Sequence, residues 1–405
     1  MSAAAAAPDA ATLAAPVARA EAVARVRIDS IDLLRGFVMV LMVLDHARLF
    51  LTAARFDPTD LAQTTPALFL TRWITHFCAP VFVFLAGTSA YLSGGRRGGK
   101  AELARFLVSR GLWLVLLELT VVNAAWAFNL RFESGVILQV IWAIGASMVA
   151  LAALVFLPTA VVGAVGVALI AGHNLADGVT PESLGAFATP WAFLHVSGPR
   201  EVFGAPLFIL YPLVPWVGVM AAGYAFGALY RLGPETRQRW LLGLGGALVL
   251  GFVVLRAAGG YGDPRVFAPQ ATHTLELLSF LNASKYPPSL AYCAMTLGPA
   301  LLALAGFEHL RGAAARFFVT LGRVPLFFYV LHIALVHALT LAIGVAQGHP
   351  AAAFARDFLH RPDGFGFGLP VVYAVWLAAV ALLYPGSRWF AGVKRRSQSA
   401  WISYL

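Results

Sequence analysis

Between residues 75 and 92 the chain reads THFCAPVFVFLAGTSAYL, eighteen residues without an Asp, Glu, Lys or Arg. Runs of this kind recur along its length, and they limit the fold more than any other feature. A helix crossing ~30 Å of hydrocarbon needs ~20 mostly apolar residues. Read with that rule, the sequence holds about ten such segments: 33–52, 67–92, 105–126, 134–156, 158–172, 205–229, 240–258, 288–307, 317–346 and 368–390. The fourth and fifth are separated only by Leu157, Pro158 and Thr159, and the ninth is long enough to be tilted or broken. Of the 405 residues, 60% are hydrophobic and 12% charged, against about 25% charged in a soluble domain. Packed in water, such a chain leaves large exposed apolar faces. The expectation is an all-α, polytopic transmembrane bundle.

The formal charge of +10 does not point to nucleic acid, because the basic residues lie in short clusters between apolar segments. That is the distribution of an orientation signal. With the N-terminus in the cytoplasm and the spans alternating, 19 of the 29 Lys and Arg fall on the cytoplasmic side and 8 on the other. Arg48 and Arg72, near span ends, make up the rest. Both termini are therefore expected to be cytoplasmic. Trp73, Trp113, Trp126, Trp142, Trp216, Trp240 and Trp389 sit at or near span ends, where indoles anchor at the membrane interface. The reading divides the chain into a disordered Ala-rich tail (1–27), a membrane domain (28–392) and a basic C-terminal tail (393–405). The tail lacks the basic start and uninterrupted apolar core of a secretory signal. Cys78 and Cys293 lie in apolar contexts and read as small buried hydrophobes; no metal site is read from the sequence.

Titratable groups within spans are costly, on the order of +2.5–3.5 kcal/mol each at mid-depth, and so are candidates for function. Counting ~1.5 Å per residue brings His46, His76, Glu118 and His332 to comparable depths on four spans. Asp45 and His46 project about 100° apart on a helix, so they face different walls. Asp45 reaches Arg48 at i+3, which offsets its burial. Interhelical glue is the structural alternative for every one of these groups. At the cytoplasmic mouth Asp32 and Arg35 share a helical face. There an arginine can bind an anion bidentately, with Arg96, Arg97, Lys100 and Arg110 extending the basic rim. Glu118, Lys285 and Tyr286 are candidates for substrate contact. Loop residues Trp191, His195, Tyr261 and His273 have the aromatic character that stacks on sugar rings. No Walker loop, GxSxG elbow or HExxH pair is present.

Five ordered stretches resemble a known family: DSIDLLRGFVMVLMVLDHARLF (29–50), THFCAPVFVFLAGTSAYL (75–92), YPLVPWVGVMAAGYAFG (211–227), KYPPSLAYCAMTLGPALL (285–302) and LGRVPLFFYVLHI (321–333). They resemble bacterial relatives of heparan-α-glucosaminide N-acetyltransferase over about residues 28–390. The opening D-x-x-R-G with a downstream His also resembles the wider group of membrane acyltransferases that decorate envelope sugars. The resemblance implies a multi-pass plasma (inner) membrane enzyme that takes an acetyl or other acyl group from cytoplasmic acyl-CoA. The acceptor is an amine or hydroxyl of an extracytoplasmic sugar or glycan. Acyl-CoA, the acceptor and membrane lipid are then the partners; a homodimer is compatible with it, and no metal is implied. The eukaryotic enzyme uses a histidine of the first lumenal loop. Here that loop, 53–66, holds none, so the role falls to His46 or His76. Asp45 supports it, and His76 or His332 polarises the thioester. Arg35 is the first choice for the CoA phosphates. The rival function is a proton-coupled transporter or exporter whose His and Asp groups relay protons. A non-enzymatic scaffold is the third reading.

Overall fold

A charged helix stands at the centre of the bundle. Helix α1 (Asp29–Leu51) carries Asp29 and Asp32 in its first turn and Arg48 in its last, so both ends complement the helix dipole. The structure is a computed structural model describing residues 29–397, 399 and 402, except 96, 130–134, 203 and 357–360. The proposed N-terminal tail and Arg96 lie outside the described residues.

Helix α2 (Pro66–Ile74) starts where the Thr65 hydroxyl accepts the Leu68 N–H at 3.3 Å, with Pro66 pre-set for the first turn. A 3₁₀ turn, Thr75–Phe77, leads into α3 (Cys78–Gly94). Helix α4 (Lys100–Leu117) passes through a π-turn at Glu118–Val122 into α5 (Asn123–Ala127). Helix α6 (Val140–Leu154) and α7 (Thr159–Gly172) follow. Beyond a short α8 (Ala188–His195) come α9 (Leu213–Phe226), α10 (Pro234–Ala258), a short α11 (His273–Leu281) and α12 (Leu290–Phe307). Helices α13 (Ala313–Gly322), α14 (Pro325–Ala346) and α15 (Leu369–Arg396) complete the bundle.

Eight stretches are long and apolar enough to span a membrane, so the protein is a multi-pass membrane protein. Helix α1 has the length, 23 residues, but too many charges for that count, and α6, at 15 residues, is short. The ninth expected span is broken: Gly322 ends α13 and Pro325 opens α14. The expected C-terminal tail begins inside a helix, because α15 runs on to Arg396.

The chain is not wholly helical. Strands β1 (Val136–Leu138), β2 (Gly198–Val202) and β3 (Ala205–Ile209) form a sheet in the order β1-β3-β2, parallel then antiparallel. It shortens two expected spans, since β1 lies within 134–156 and β3 opens 205–229. The sheet lies at one end of the bundle with the long connections; we call this the loop end. At the basic end the connections are short.

Helix α1 packs against α13, α14, α15 and α3, and its apolar side chains join the main core. The crossing with α13 is very close. A Cβ on Gly322 would collide with the Asp32 carbonyl, and one on Gly36 with the Phe318 carbonyl. This approach brings Arg35 within 3.2 Å of the Gly322 carbonyl. Replacing Gly322 with Val is expected to cost on the order of 3 kcal/mol, the upper part of the overpacking range. Thermal unfolding in detergent reads this; an unshifted transition rules the crossing out.

Candidate active site

Near the loop end of α1, two adjacent polar side chains serve two different networks. The Asp45 carboxylate accepts from Arg48 Nη2 at 2.9 Å, one turn along α1. Arg72 of α2 reaches both its oxygens, at 2.8 and 2.7 Å. The Thr75 hydroxyl lies 3.0 Å from Oδ1. One carboxylate thus holds two guanidiniums, all three side chains being largely shielded from solvent. The expected Asp45–Arg48 pair is present, but sequence reading left Arg72 without a role. Its signal was a lone cation inside an apolar segment, which is costly without a partner.

His46 faces another wall. Its Nδ1 is 2.6 Å from Nε2 of His332 on α14, with the rings nearly parallel at 13°. The edge of Trp126 closes one side, at 4.8 Å between centroids. His332 Nδ1 lies 3.2 Å from the Phe328 carbonyl. A carbonyl only accepts, so the proton of a neutral His332 belongs on Nδ1 and its Nε2 is a lone pair. His46 Nδ1–H then donates to that lone pair, which leaves the lone pair of His46 on Nε2. No described residue bonds this nitrogen. The second-neighbour bond thus selects the tautomer, as in the oriented histidines of many sites.

The other candidates are dispersed. Glu118 is fully buried in the π-turn, and its Oε2 accepts the Trp142 N–H at 2.9 Å, at the start of α6. Asn123 bonds the Glu118 backbone carbonyl rather than the carboxylate. Glu118 also acts electrostatically on Tyr329, whose ring is 5.4 Å from that of His332. His76 does not join the pair. Its ring lies edge-on to Tyr292 at 5.5 Å, and the Tyr292 hydroxyl donates to its backbone carbonyl at 2.7 Å. His337 is a clamp: its nitrogens lie 3.1 Å from the Ala125 carbonyl and 2.7 Å from that of Phe354.

On the loop-end side, Lys285 is buried at 6% exposure with its ammonium 5.2 Å over the Tyr286 ring. Burial opposes ionisation of the Tyr286 hydroxyl, but Lys285 and Arg72 outweigh it and hold its pKa below the usual tyrosine range. Burial, with Arg55 and Arg48 nearby, lowers Arg361 to about 10. Arg361 is anchored on the Thr52 carbonyl and Arg55 on those of Pro362 and Phe365. This end is therefore cationic as well.

A cavity of about 2320 Å³ opens at the basic end. That exceeds the ~300–1,000 Å³ of ordinary small-molecule pockets, so it suits a long ligand. Nine Arg and Lys against four Asp and Glu line it, among them Arg35, Arg97 and Arg110. Arg35 bonds Asp32 and Ser89, both at 2.9 Å. Arg97 and Arg110 lie over the Phe106 ring at 3.7 and 5.9 Å. Deeper walls are apolar, and the cavity extends to Tyr329, one helical turn before His332 on α14.

The architecture is that of a multi-pass helical membrane bundle in which a cationic cavity extends to within one helical turn of a paired imidazole. Residues 27–256 match the family model for the heparan-alpha-glucosaminide N-acetyltransferase catalytic domain, more than half the chain, and the protein belongs to that family of membrane acyltransferases. The family uses acetyl-CoA as donor and a sugar as acceptor. The matched segment includes Asp45, His46, Arg72, His76 and Glu118; Lys285, Tyr286 and His332 lie beyond it. No curated protein sequence gives a significant match.

Proposed function

We propose that the protein transfers an acetyl or acyl group from cytoplasmic acyl-CoA to an amine or hydroxyl of an extracytoplasmic sugar or glycan, at the plasma (inner) membrane. The observation that carries this reading is the Nε2 of His46, which no described residue bonds, held between the cationic cavity and the loop end. In this topology both termini are cytoplasmic, α1 and α6 complete ten crossings, and α13 stays at the basic end without crossing.

The nucleotide phosphates of the donor sit among Arg35, Arg97 and Arg110, and Arg96 extends this rim. The pantetheine arm follows the apolar wall to Tyr329. The acceptor enters from the loop end past Lys285 and Tyr286. As the acceptor nitrogen or oxygen attacks the thioester carbonyl, His46 Nε2 takes its proton. The acyl carbon–sulfur bond breaks, and the leaving thiolate takes that proton from the His46 imidazolium, which releases free CoA and restores the neutral base. General base catalysis of this kind contributes ~10²–10⁴-fold. His332 does not touch substrate; it fixes the His46 tautomer. Asp45 stabilises the imidazolium through space, and Glu118 and His76 shape the polar interior.

The test is the purified full chain with radiolabelled acetyl-CoA and a panel of glucosamine-type acceptors. Labelled product supports the proposal; no transfer to any acceptor together with no CoA binding overturns it. Arg35→Ala is expected to raise the KM for acyl-CoA about tenfold or more, with a smaller change in kcat, since one charge-assisted bond to a phosphate contributes ~1.5–3 kcal/mol. A proton-coupled transporter needs no seat for CoA, so under that rival the wild type binds none and Arg35→Ala leaves substrate uptake intact.

A further inference from the structure

The loop end carries a second set of ligating side chains, which acyl transfer leaves unused. His173 follows the last residue of α7, Asp177 lies one turn further on, and His195 ends α8. His173 Nδ1 and His195 Nε2 are 3.3 Å apart. The same His195 nitrogen is 3.7 Å from Asp177 Oδ1. One ligand atom from each of the three lies within 4.8 Å of the other two. Both imidazoles are buried, at 5% and 3% exposure, while the Asp177 side chain is 26% exposed.

We infer that His173, Asp177 and His195 form a divalent-metal site whose preferred ion is zinc. With bonds of ~2.0–2.1 Å, two ligand atoms on a tetrahedral zinc stand roughly 3.3 Å apart. That is the separation of the two imidazole nitrogens. Two imidazoles and one carboxylate suit zinc; calcium and magnesium take predominantly oxygen ligands, and copper(I) favours sulfur. Water takes the fourth position from the side on which Asp177 is exposed.

The surroundings support the ligands as outer partners do in metal sites. Asn174 donates its amide to Asp177 Oδ2 at 2.9 Å, which directs Oδ1 toward the imidazoles. The His195 ring lies on Trp191 with 5.0 Å between centroids, and the indole N–H is fixed on the Val179 carbonyl at 2.9 Å. His173 Nε2 is buried without a hydrogen bond, and the Pro288 carbonyl interacts with the same ring. A proton on Nε2, turned toward that carbonyl, leaves the Nδ1 lone pair for the metal. Without metal the His195 Nε2–H is held by the His173 carbonyl at 2.8 Å. For zinc to bind, this proton moves to Nδ1 by exchange with solvent, so that His195 stays a neutral imidazole and presents its Nε2 lone pair to the metal.

The site joins the end of α7 to α8. Through Asn174 Oδ1, which accepts the Leu290 N–H at 3.0 Å, it is also joined to the start of α12. Lys285 and Tyr286 immediately precede that helix, so the metal is a staple that sets the loop-end entrance.

The experiment uses the full chain in detergent, stripped with chelator and dialysed, and reads zinc by calorimetry and by elemental analysis. The expected result is one tightly bound zinc per chain, with the intense visible bands of a tetrahedral site on cobalt(II) substitution. Binding is lost in the His173→Gln/His195→Gln double variant. Asp177→Asn, at an exposed side chain, is expected to weaken zinc at least about tenfold while leaving the far-UV circular dichroism unchanged. Zinc uptake equally weak in wild type and double variant, or equally tight in both, overturns the assignment.

Discussion

His46→Ala is expected to lower acyl transfer by ~10²–10⁴-fold, the usual contribution of a positioned general base. His332→Ala is expected to cost less, about tenfold to a hundredfold, because the base remains and only its tautomer is released. The two variants differ in form as well as size. In His332→Ala, His46 Nδ1 loses its 2.6 Å bond, the one it makes among the described residues, and a proton on Nε2 competes with the productive form. The pH profile of kcat therefore shifts in His332→Ala. His332→Gln, whose amide oxygen can accept from Nδ1–H, is expected to recover part of the rate. A residue that only fills space on α14 gives neither the altered profile nor the selective recovery. If His46→Ala folds normally and transfers at the wild-type rate, the imidazole pair is not the site.

Much of this arrangement was legible because it is local. The Asp32–Arg35 and Asp45–Arg48 pairs follow from spacing on one helix, and both are present at 2.9 Å. Depth counting placed His46 and His332 at the same level, and they meet. It failed for His76 because it treats 67–92 as one regular helix. The 3₁₀ turn at Thr75–Phe77 changes the rotation per residue in the middle of that span, and His76 lies within it. The Arg72–Asp45 pair was hidden for a related reason: 27 residues separate the partners, and the contact of α2 with α1 that joins them is a property of packing. The same holds for His173 and His195, 22 residues apart: His195 was read singly as a loop residue and His173 was not singled out. The three strands are of three to five residues each, too short for alternation to stand out against apolar neighbours. The π-turn left no mark in the sequence. It adds a residue to one turn and so re-aims Glu118 toward the backbone of α6, a common use of such bulges.

The second large effect concerns stability rather than rate. Asp45→Ala is expected to destabilise the fold by about 3–5 kcal/mol, the penalty for leaving a buried charge without its partner. The argument depends on how many groups share this carboxylate. Arg48 and Arg72 both donate to it and share Oδ1; among the described residues neither guanidinium has a second carboxylate in ion-pair contact, and Asp57 acts on both only through space. The loss is therefore two uncompensated cations close together, not one. Removing a cation at the same time should return much of the stability: Asp45→Ala/Arg72→Met is expected to unfold at a higher temperature than Asp45→Ala alone. Thermal unfolding of the four members of this cycle gives the coupling directly. Additive changes mean that the Asp45–Arg72 contact carries no net interaction. Coupling with restored folding but without restored transfer gives Asp45 a further role beside His46, in which its charge steadies the imidazolium as the proton arrives. In that case the polar pair at the end of α1 divides the work between two adjacent residues, one locking two helices together and the other presenting its free nitrogen to the substrate.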